Sequence, residues 1–294
     1  MIHRTITILL CFVICLAIPC AGSSELIVCG WNEVYIIDAA STDSPPKKLW
    51  TWKAADHPEI PEDAGKRFGT TDECKPVRGG SKILITSSGG GVALVDRASG
   101  KPESWAVVPY AHSADILPGG RIVVAASTSA KVVVLDGKSP GKILYAADLV
   151  SAHGVVWDRQ RHTLWALGDK EIRAYRLRRW YSDSPHLEVS GIYPLPEGGG
   201  HDLYPVPGTS MLSVSAWSRC FLFDRDTHEI KPHDLLPRAY SAKSLDLNPI
   251  TGRLVYVQAE SPNWWAGRIH LLNPSGAILL PGHRIYKARW NIDR

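Results

Sequence analysis

Six short segments hold the residues of this 294-residue chain best suited to chemistry. In order they are Glu73-Cys74-Lys75-Pro76, Ala111-His112-Ser113-Ala114, Ala152-His153-Gly154-Val155, Gly200-His201-Asp202-Leu203, Ala242-Lys243-Ser244-Leu245 and Tyr286-Lys287-Ala288-Arg289. Three consecutive segments place a histidine at one position, the next two a lysine, and the first Cys74 or Glu73. His112, His153 and His201 each lie nine residues before an equivalent turn-to-strand position, at Arg121, His162 and Ser210. Three neutral imidazoles meeting at one point, with coordination positions left open, suit a divalent transition metal (Zn, Mn, Fe or Cu) and Lewis-acid chemistry. Lys243 or Lys287 would act as base or anion clamp, and Arg289 could grip a carboxylate through two hydrogen bonds. Glu73, Asp202 and Tyr204 are reserve acid–base groups, and Cys74 is an alternative fourth metal ligand.

A lone histidine beside a polar channel is ordinarily satisfied by backbone or water. Only the shared register lifts these three above that reading. His57, His162, His186, His228, His233, His270 and His283 lack it and read as surface or structural. No His-Glu-x-x-His or Cys-x-x-Cys spacing adds a metal signature.

The elements that must position these residues come from repeats. Two or three apolar residues, then Asp or Asn, then a turn recur as Tyr35-Ile36-Ile37-Asp38, Ala93-Leu94-Val95-Asp96, Val133-Val134-Leu135-Asp136, Phe221-Leu222-Phe223-Asp224 and His270-Leu271-Leu272-Asn273, with Ile172 to Leu177 a degenerate copy. Asp and Asn start turns through side-chain bonds to backbone, and the glycines that follow supply positive φ. Before each copy runs a turn and a β-rich stretch, such as Pro118-Gly119-Gly120-Arg121-Ile122-Val123-Val124. No long segment has a 3.6-residue apolar period. A repeat of about 40 to 49 residues is the blade length of a β-propeller.

The expected fold is therefore all-β: a six-bladed propeller over residues 24-294, with inner strands near 74-78, 112-117, 153-157, 201-206, 243-247 and 287-292. The ends predict closure, because Glu25 to Val28 enters without an inner strand and Tyr286 to Ile292 lacks a partner. Pairing them completes one blade and leaves no open sheet edge. In such a ring the loops between second and third strands share a face with the starts of the inner strands. Trp31, Trp217, Trp264 and Trp265 should therefore rim the same mouth as the three histidines, as substrate-binding aromatics.

Composition narrows the partners. The net charge is +4 with Lys and Arg scattered, which speaks against nucleic acid. Tryptophan is abundant, at 11 residues, and aromatic faces stack on sugar rings, although most of them should fill the core. Residues 1-23 have the layout of a secretory signal peptide: a basic start, an apolar run from Ile6 to Pro19, then Cys20-Ala21-Gly22-Ser23. The expected location is secreted or periplasmic, with no transmembrane span in the mature chain. Beyond that leader only Cys29, Cys74 and Cys220 remain, too few and too widely spaced for a disulfide framework.

The phrases Asp72-Glu73-Cys74-Lys75-Pro76-Val77, Ile85-Thr86-Ser87-Ser88-Gly89-Gly90-Gly91, Ala111-His112-Ser113, Ser151-Ala152-His153-Gly154-Val155 and Gly200-His201-Asp202-Leu203-Tyr204-Pro205 resemble a family of secreted bacterial propellers with WD40-like repeats and no assigned activity. That resemblance spans nearly all of the mature chain and implies the fold and the export. In architecture and ligand type alone, the chain is similar to oligogalacturonate lyases, propellers whose channel metal is held largely by histidines. Together these readings point to a metal-dependent carbohydrate-active enzyme, a lyase or hydrolase acting on an acidic or oxidised sugar. The alternative is a non-catalytic propeller that binds glycan or protein at the same mouth.

Overall fold

The computed structural model describes residues 24–292, so the leader-like residues 1-23 lie outside it. The described residues form six four-stranded antiparallel sheets. Each sheet is one blade, with its inner strand along a central channel. Blade 1 joins the two ends of the chain: Lys287–Trp290 is its inner strand, followed outward by Glu25–Gly30, Glu33–Asp38 and Lys48–Trp52. The closing register pairs Leu26 with Trp290 and Cys29 with Lys287. The inner strands of blades 2 to 6 are Thr71–Val77, Ala111–Ile116, Gly154–Asp158, Asp202–Pro205 and Ala242–Leu247. The six blades, the closure and the inner-strand positions agree with the sequence expectation. No helix of the described residues is long and apolar enough to cross a membrane.

The core is divided among the six blade interfaces. Side chains alternate along a strand, so neighbouring residues feed different interfaces. In the first strand Leu26 and Val28 pack toward blade 6, beside Val255 and Ile269. Ile27 and Cys29 pack toward blade 2, beside Cys74, Ile83 and Ile85. Both faces are buried, which is why these strands read as unbroken apolar runs. Full burial of such a Val, Leu or Ile side chain is worth roughly 1.5–3 kcal/mol.

Polar stitches hold successive inner strands together along the channel. Asp115 accepts the backbone N–H of Trp157 at 2.9 Å, Asp202 that of Leu245 at 2.9 Å, and Asp246 that of Trp290 at 2.8 Å. The acceptor lies in one blade and the donor in the next, so each stitch also sets the rotation between blades.

Candidate functional site

A β-bulge at the start of the inner strands builds the site. In blades 2, 3 and 6 the ladder skips one residue, between Thr71 and Glu73, Ala111 and Ser113, and Ala242 and Ser244. The extra residues are Asp72, His112 and Lys243. In the other blades, too, two residues oppose one. His153 N–H bonds the Leu167 carbonyl while Gly154 pairs with Leu167. His201 and Asp202 share Ser215 in this way, and Tyr286 and Lys287 share Cys29. A bulge re-aims a side chain out of the normal alternation. Here it adds one channel-facing residue per blade above the ordinary inward set.

The result is a ring with one side chain from each blade: Asp72, His112, His153, His201, Lys243 and Tyr286. The ring centroids of His112 and His153 are 4.7 Å apart, and those of His153 and His201 4.5 Å apart. Lys243 Nζ is 3.0 Å from His201 Nε2, and the Tyr286 hydroxyl is 2.8 Å from that same nitrogen. The three histidines and Lys243 stand in the register expected from sequence. At the other two blades the expected register is one residue or more too deep. Tyr286, not Lys287, completes the ring in blade 1, and Asp72, not Glu73 or Cys74, completes it in blade 2. Cys74 is fully buried between blades 1 and 2, its thiol donating to the Ile27 carbonyl at 3.5 Å, away from the mouth.

One layer down lie the residues expected to act as acid–base and substrate groups. Arg289 donates to Glu73 at 3.0 and 3.1 Å and to Asp202 at 2.9 and 2.6 Å. Lys287 donates to Asp202 at 3.0 Å and to Glu73 at 3.3 Å. The Arg289 guanidinium also stacks on the Tyr204 ring at 3.9 Å. Two cations and two carboxylates are thus mutually satisfied where exposure is 1% or less. Burial alone would raise the Glu73 and Asp202 carboxyls, but Arg289 and Lys287 outweigh it and hold both below the usual range. This cluster lies beneath the ring and engages the Arg289 guanidinium in hydrogen bonds to Glu73, Asp202 and the Leu245 carbonyl.

A cavity of about 260 Å³ opens above the cluster, lined by Asp72, Ser88, His112, His201, Lys243, Trp264 and Tyr286. Burial and neighbouring positive charge keep the imidazoles neutral: His112 is held down at about 3, His153 at about 4, and His201 well below its ordinary value. Burial, aided by Lys287, brings the Lys243 ammonium down to about 8. Burial lifts the Asp72 carboxyl to about 7, although it accepts the Ser88 N–H. Burial keeps Tyr286 a phenol. His112 Nδ1 lies 3.0 Å from both the Tyr110 carbonyl and the Ser127 hydroxyl, and His153 Nδ1 lies 2.8 Å from the Ser151 carbonyl and 3.1 Å from the Ser151 hydroxyl, oxygens to which an Nδ1–H can donate. A carbonyl only accepts, so Nε2 of both rings carries the lone pair.

The tryptophans lie where expected, in two groups. Trp31 and Trp264 stack at 5.1 Å beside Tyr286, with the Arg284 guanidinium 4.4 Å over Trp31. Trp217 meets Tyr240 edge-on at 5.2 Å, and both are at least half exposed. The Trp217 carbonyl accepts from Ser241, two residues before Lys243, and Trp217 packs on Gly199, two before His201. Aromatic platforms therefore flank the ring on both sides of Lys243.

Sequence reasoning passed over Asp72 and Tyr286 as site residues. The available signal was the step of one residue ahead of Glu73 and Lys287, which becomes visible once the bulge is known.

A family model, described as a family of unknown function (DUF6528), matches residues 30–294. No curated protein matches the chain in sequence. Among solved structures the chain is similar to a protein of unknown function from Bacteroides caccae, at 12% identity and TM-score 0.57, covering 90% of this chain and 97% of that one. It is also similar to a chain of a nidogen/laminin complex, at 12% identity and TM-score 0.59, with the same two coverages. At such identity the likeness concerns the fold alone.

Proposed function

The chain belongs to the family of unknown function DUF6528, so its function has to be read from the ring itself, and we propose an exported acid–base site for an acidic sugar, acting as a lyase. The observation that carries this reading is a surplus donor. Tyr286 and Lys243 both approach His201 Nε2, at 2.8 and 3.0 Å. With its lone pair on Nε2, His201 accepts from only one of the two, and the other donor is then left for an anionic oxygen. A ligand carboxylate meets that need. The Nε2 atom of His112 accepts from a sugar hydroxyl, and Trp264 offers a face for the ring. The cavity of about 260 Å³ suits one sugar-acid unit, with further units lying on the aromatic rim.

In the lyase step the neutral amine of Lys243 takes the proton from the carbon next to the carboxylate. That C–H bond breaks, a C=C bond forms, and the bond to the leaving oxygen breaks. Asp72, as the carboxylic acid, gives its proton to that oxygen. General acid–base help of this kind is worth about 10²–10⁴-fold.

The histidines support a second reading. Donation of Nδ1 to a carbonyl is the usual arrangement in metal-bound histidine. A divalent transition metal would be held by His112, His153 and His201, and would supply Lewis-acid polarisation of the carboxylate. This fit is the weaker one. His201 would have to turn Nε2 from Tyr286 and Lys243, and the Lys287 ammonium sets a positive field beneath the ring. Among the described residues no group of three His, Cys, Asp or Glu is arranged to hold a metal.

The test is a panel of acidic oligosaccharides incubated with wild type, with and without added divalent metal, read by the ultraviolet absorbance of unsaturated product. Wild type should yield product without added metal, and Lys243→Ala should lose at least about 100-fold of that rate. Product only with added metal supports the metal reading. Saturable glycan binding without product leaves a binding module, and no binding to any acidic glycan refutes the proposal.

A further inference from the structure

The channel end opposite the histidine ring carries a second hollow. There the inner strands of blades 2 to 5 leave the channel, and with the turns that follow they enclose about 430 Å³. That lies within the range of small-molecule sites. Tyr204 is in its wall with Arg289 stacked on the ring, so the buried ion-pair cluster separates this hollow from the mouth.

The lining carries four cations, Lys75, Arg78, Arg159 and Arg225, against two carboxylates, Asp115 and Asp158. Most of these are paired. Lys75 donates to the Val155 carbonyl at 2.8 Å and lies 3.5 Å from Asp115. Asp115 also accepts the Trp157 N–H. Arg225 donates to Asp158 at 2.9 Å and to the Thr209 and Ser210 carbonyls at 2.8 Å. Asp158 is further held by Arg161 at 2.9 Å. Two guanidiniums remain. Among the described residues the Arg78 side chain pairs only with Glu103, at 3.9 Å. The exposed Arg159 side chain has no hydrogen-bond or ion-pair partner among the described residues.

The half-buried Trp157 and the rigid apolar rings of Pro76, Pro205 and Pro207 line the same hollow. Trp157 and Arg159 also border a neighbouring hollow of about 280 Å³, so the surface runs on past the first cavity. Guanidiniums with few partners favour carboxylates and phosphates, which they bind through two parallel hydrogen bonds. A tryptophan beside prolines favours a flat, weakly hydrated body.

We propose that this hollow is a second ligand site, for a small ring-bearing carboxylate or phosphate. Arg159 and Arg78 hold the anionic group, and the ring lies against Trp157 and the prolines. Binding here is independent of the mouth.

Isothermal titration calorimetry with benzoate, phenyl phosphate and inorganic phosphate tests this. Wild type should bind benzoate or phenyl phosphate saturably, and the better of the two identifies the headgroup. The Arg78→Ala/Arg159→Ala variant changes only exposed side chains and should keep its circular dichroism while binding roughly ten-fold or more weakly. Lys243→Ala, at the mouth, should bind as wild type does. Absence of saturable binding to either aryl anion, or binding unaltered in the double variant, overturns the site. Inorganic phosphate binding as tightly as phenyl phosphate overturns the role of Trp157 and the prolines. Weakening in Lys243→Ala would mean that the ligand had been at the mouth.

Discussion

Replacing Arg289 by methionine tests how the closed layer beneath the ring holds the propeller. The side chain is fully buried and makes four hydrogen bonds to Glu73 and Asp202 and one to the Leu245 carbonyl at 3.3 Å. Its removal leaves two buried carboxylates with Lys287 as their one remaining ion-pair partner among the described residues. One of them must take up a proton to remain in place. For a carboxyl with an ordinary pKa near 4, that uptake costs about 4 kcal/mol at pH 7 and about 1.4 kcal/mol at pH 5. The figure at pH 7 agrees with the roughly 3–5 kcal/mol seen when one partner of a buried pair is deleted. The sign follows from the depressed carboxyls. Their stabilisation is present above the unfolded carboxylate pKa and is lost as pH falls through the folded values. The variant should therefore lose most stability at neutral pH and approach wild type in acid. Urea unfolding followed by circular dichroism at pH 7 and pH 5 reads the difference, and at pH 7 the midpoint of thermal unfolding should fall by roughly 8 to 16 °C. Adding Glu73→Gln removes the surplus charge and should recover much of the loss. An equal penalty at both pH values, or a double variant no more stable than the single one, would refute the reasoning.

Other consequences can be checked separately. His112 and His153 titrate at about 3 and 4 in the fold but near 6.5 when unfolded, so stability should fall as pH drops below about 6.5. The imidazole proton resonances of both should show no titration above about pH 5, and His112→Asn should flatten the stability slope. Trp217 is 58% exposed, so Trp217→Ala should leave the unfolding midpoint unchanged. The same variant should weaken a long acidic oligosaccharide by roughly 2- to 10-fold, with little effect on a single sugar acid. A side chain on Gly30 would fall onto the Arg284 backbone carbonyl, where nothing flexible can give way. Gly30→Ala should therefore destabilise the closing blade by roughly 1–3 kcal/mol or more, measurable as faster proteolysis of blade 1.

The repeats were legible because each blade must bury two faces with a short apolar phrase, and five of the six phrases end at an Asp or Asn turn. Val133-Val134-Leu135-Asp136 and Phe221-Leu222-Phe223-Asp224 announce their strands without reference to neighbours. The histidines were legible for the same reason: an equal count to the next turn puts them at equal depth. Asp72 and Tyr286 were not, since neither repeats the histidine or lysine that marks the same bulge position in the four other blades. The closing strand comes from the far end of the chain and has no upstream repeat to count from.

Sequence alone determined the number of blades, the joining of the two ends and the gathering of His112, His153 and His201 at one mouth, because local periodicity and turn chemistry act over a few residues. Only the tertiary structure decided which charges meet. Glu73 and Arg289 are 216 positions apart, yet they pair at 3.0 Å. Charge pairing depends on distances across the closed ring, and those distances exist only once the ring has closed.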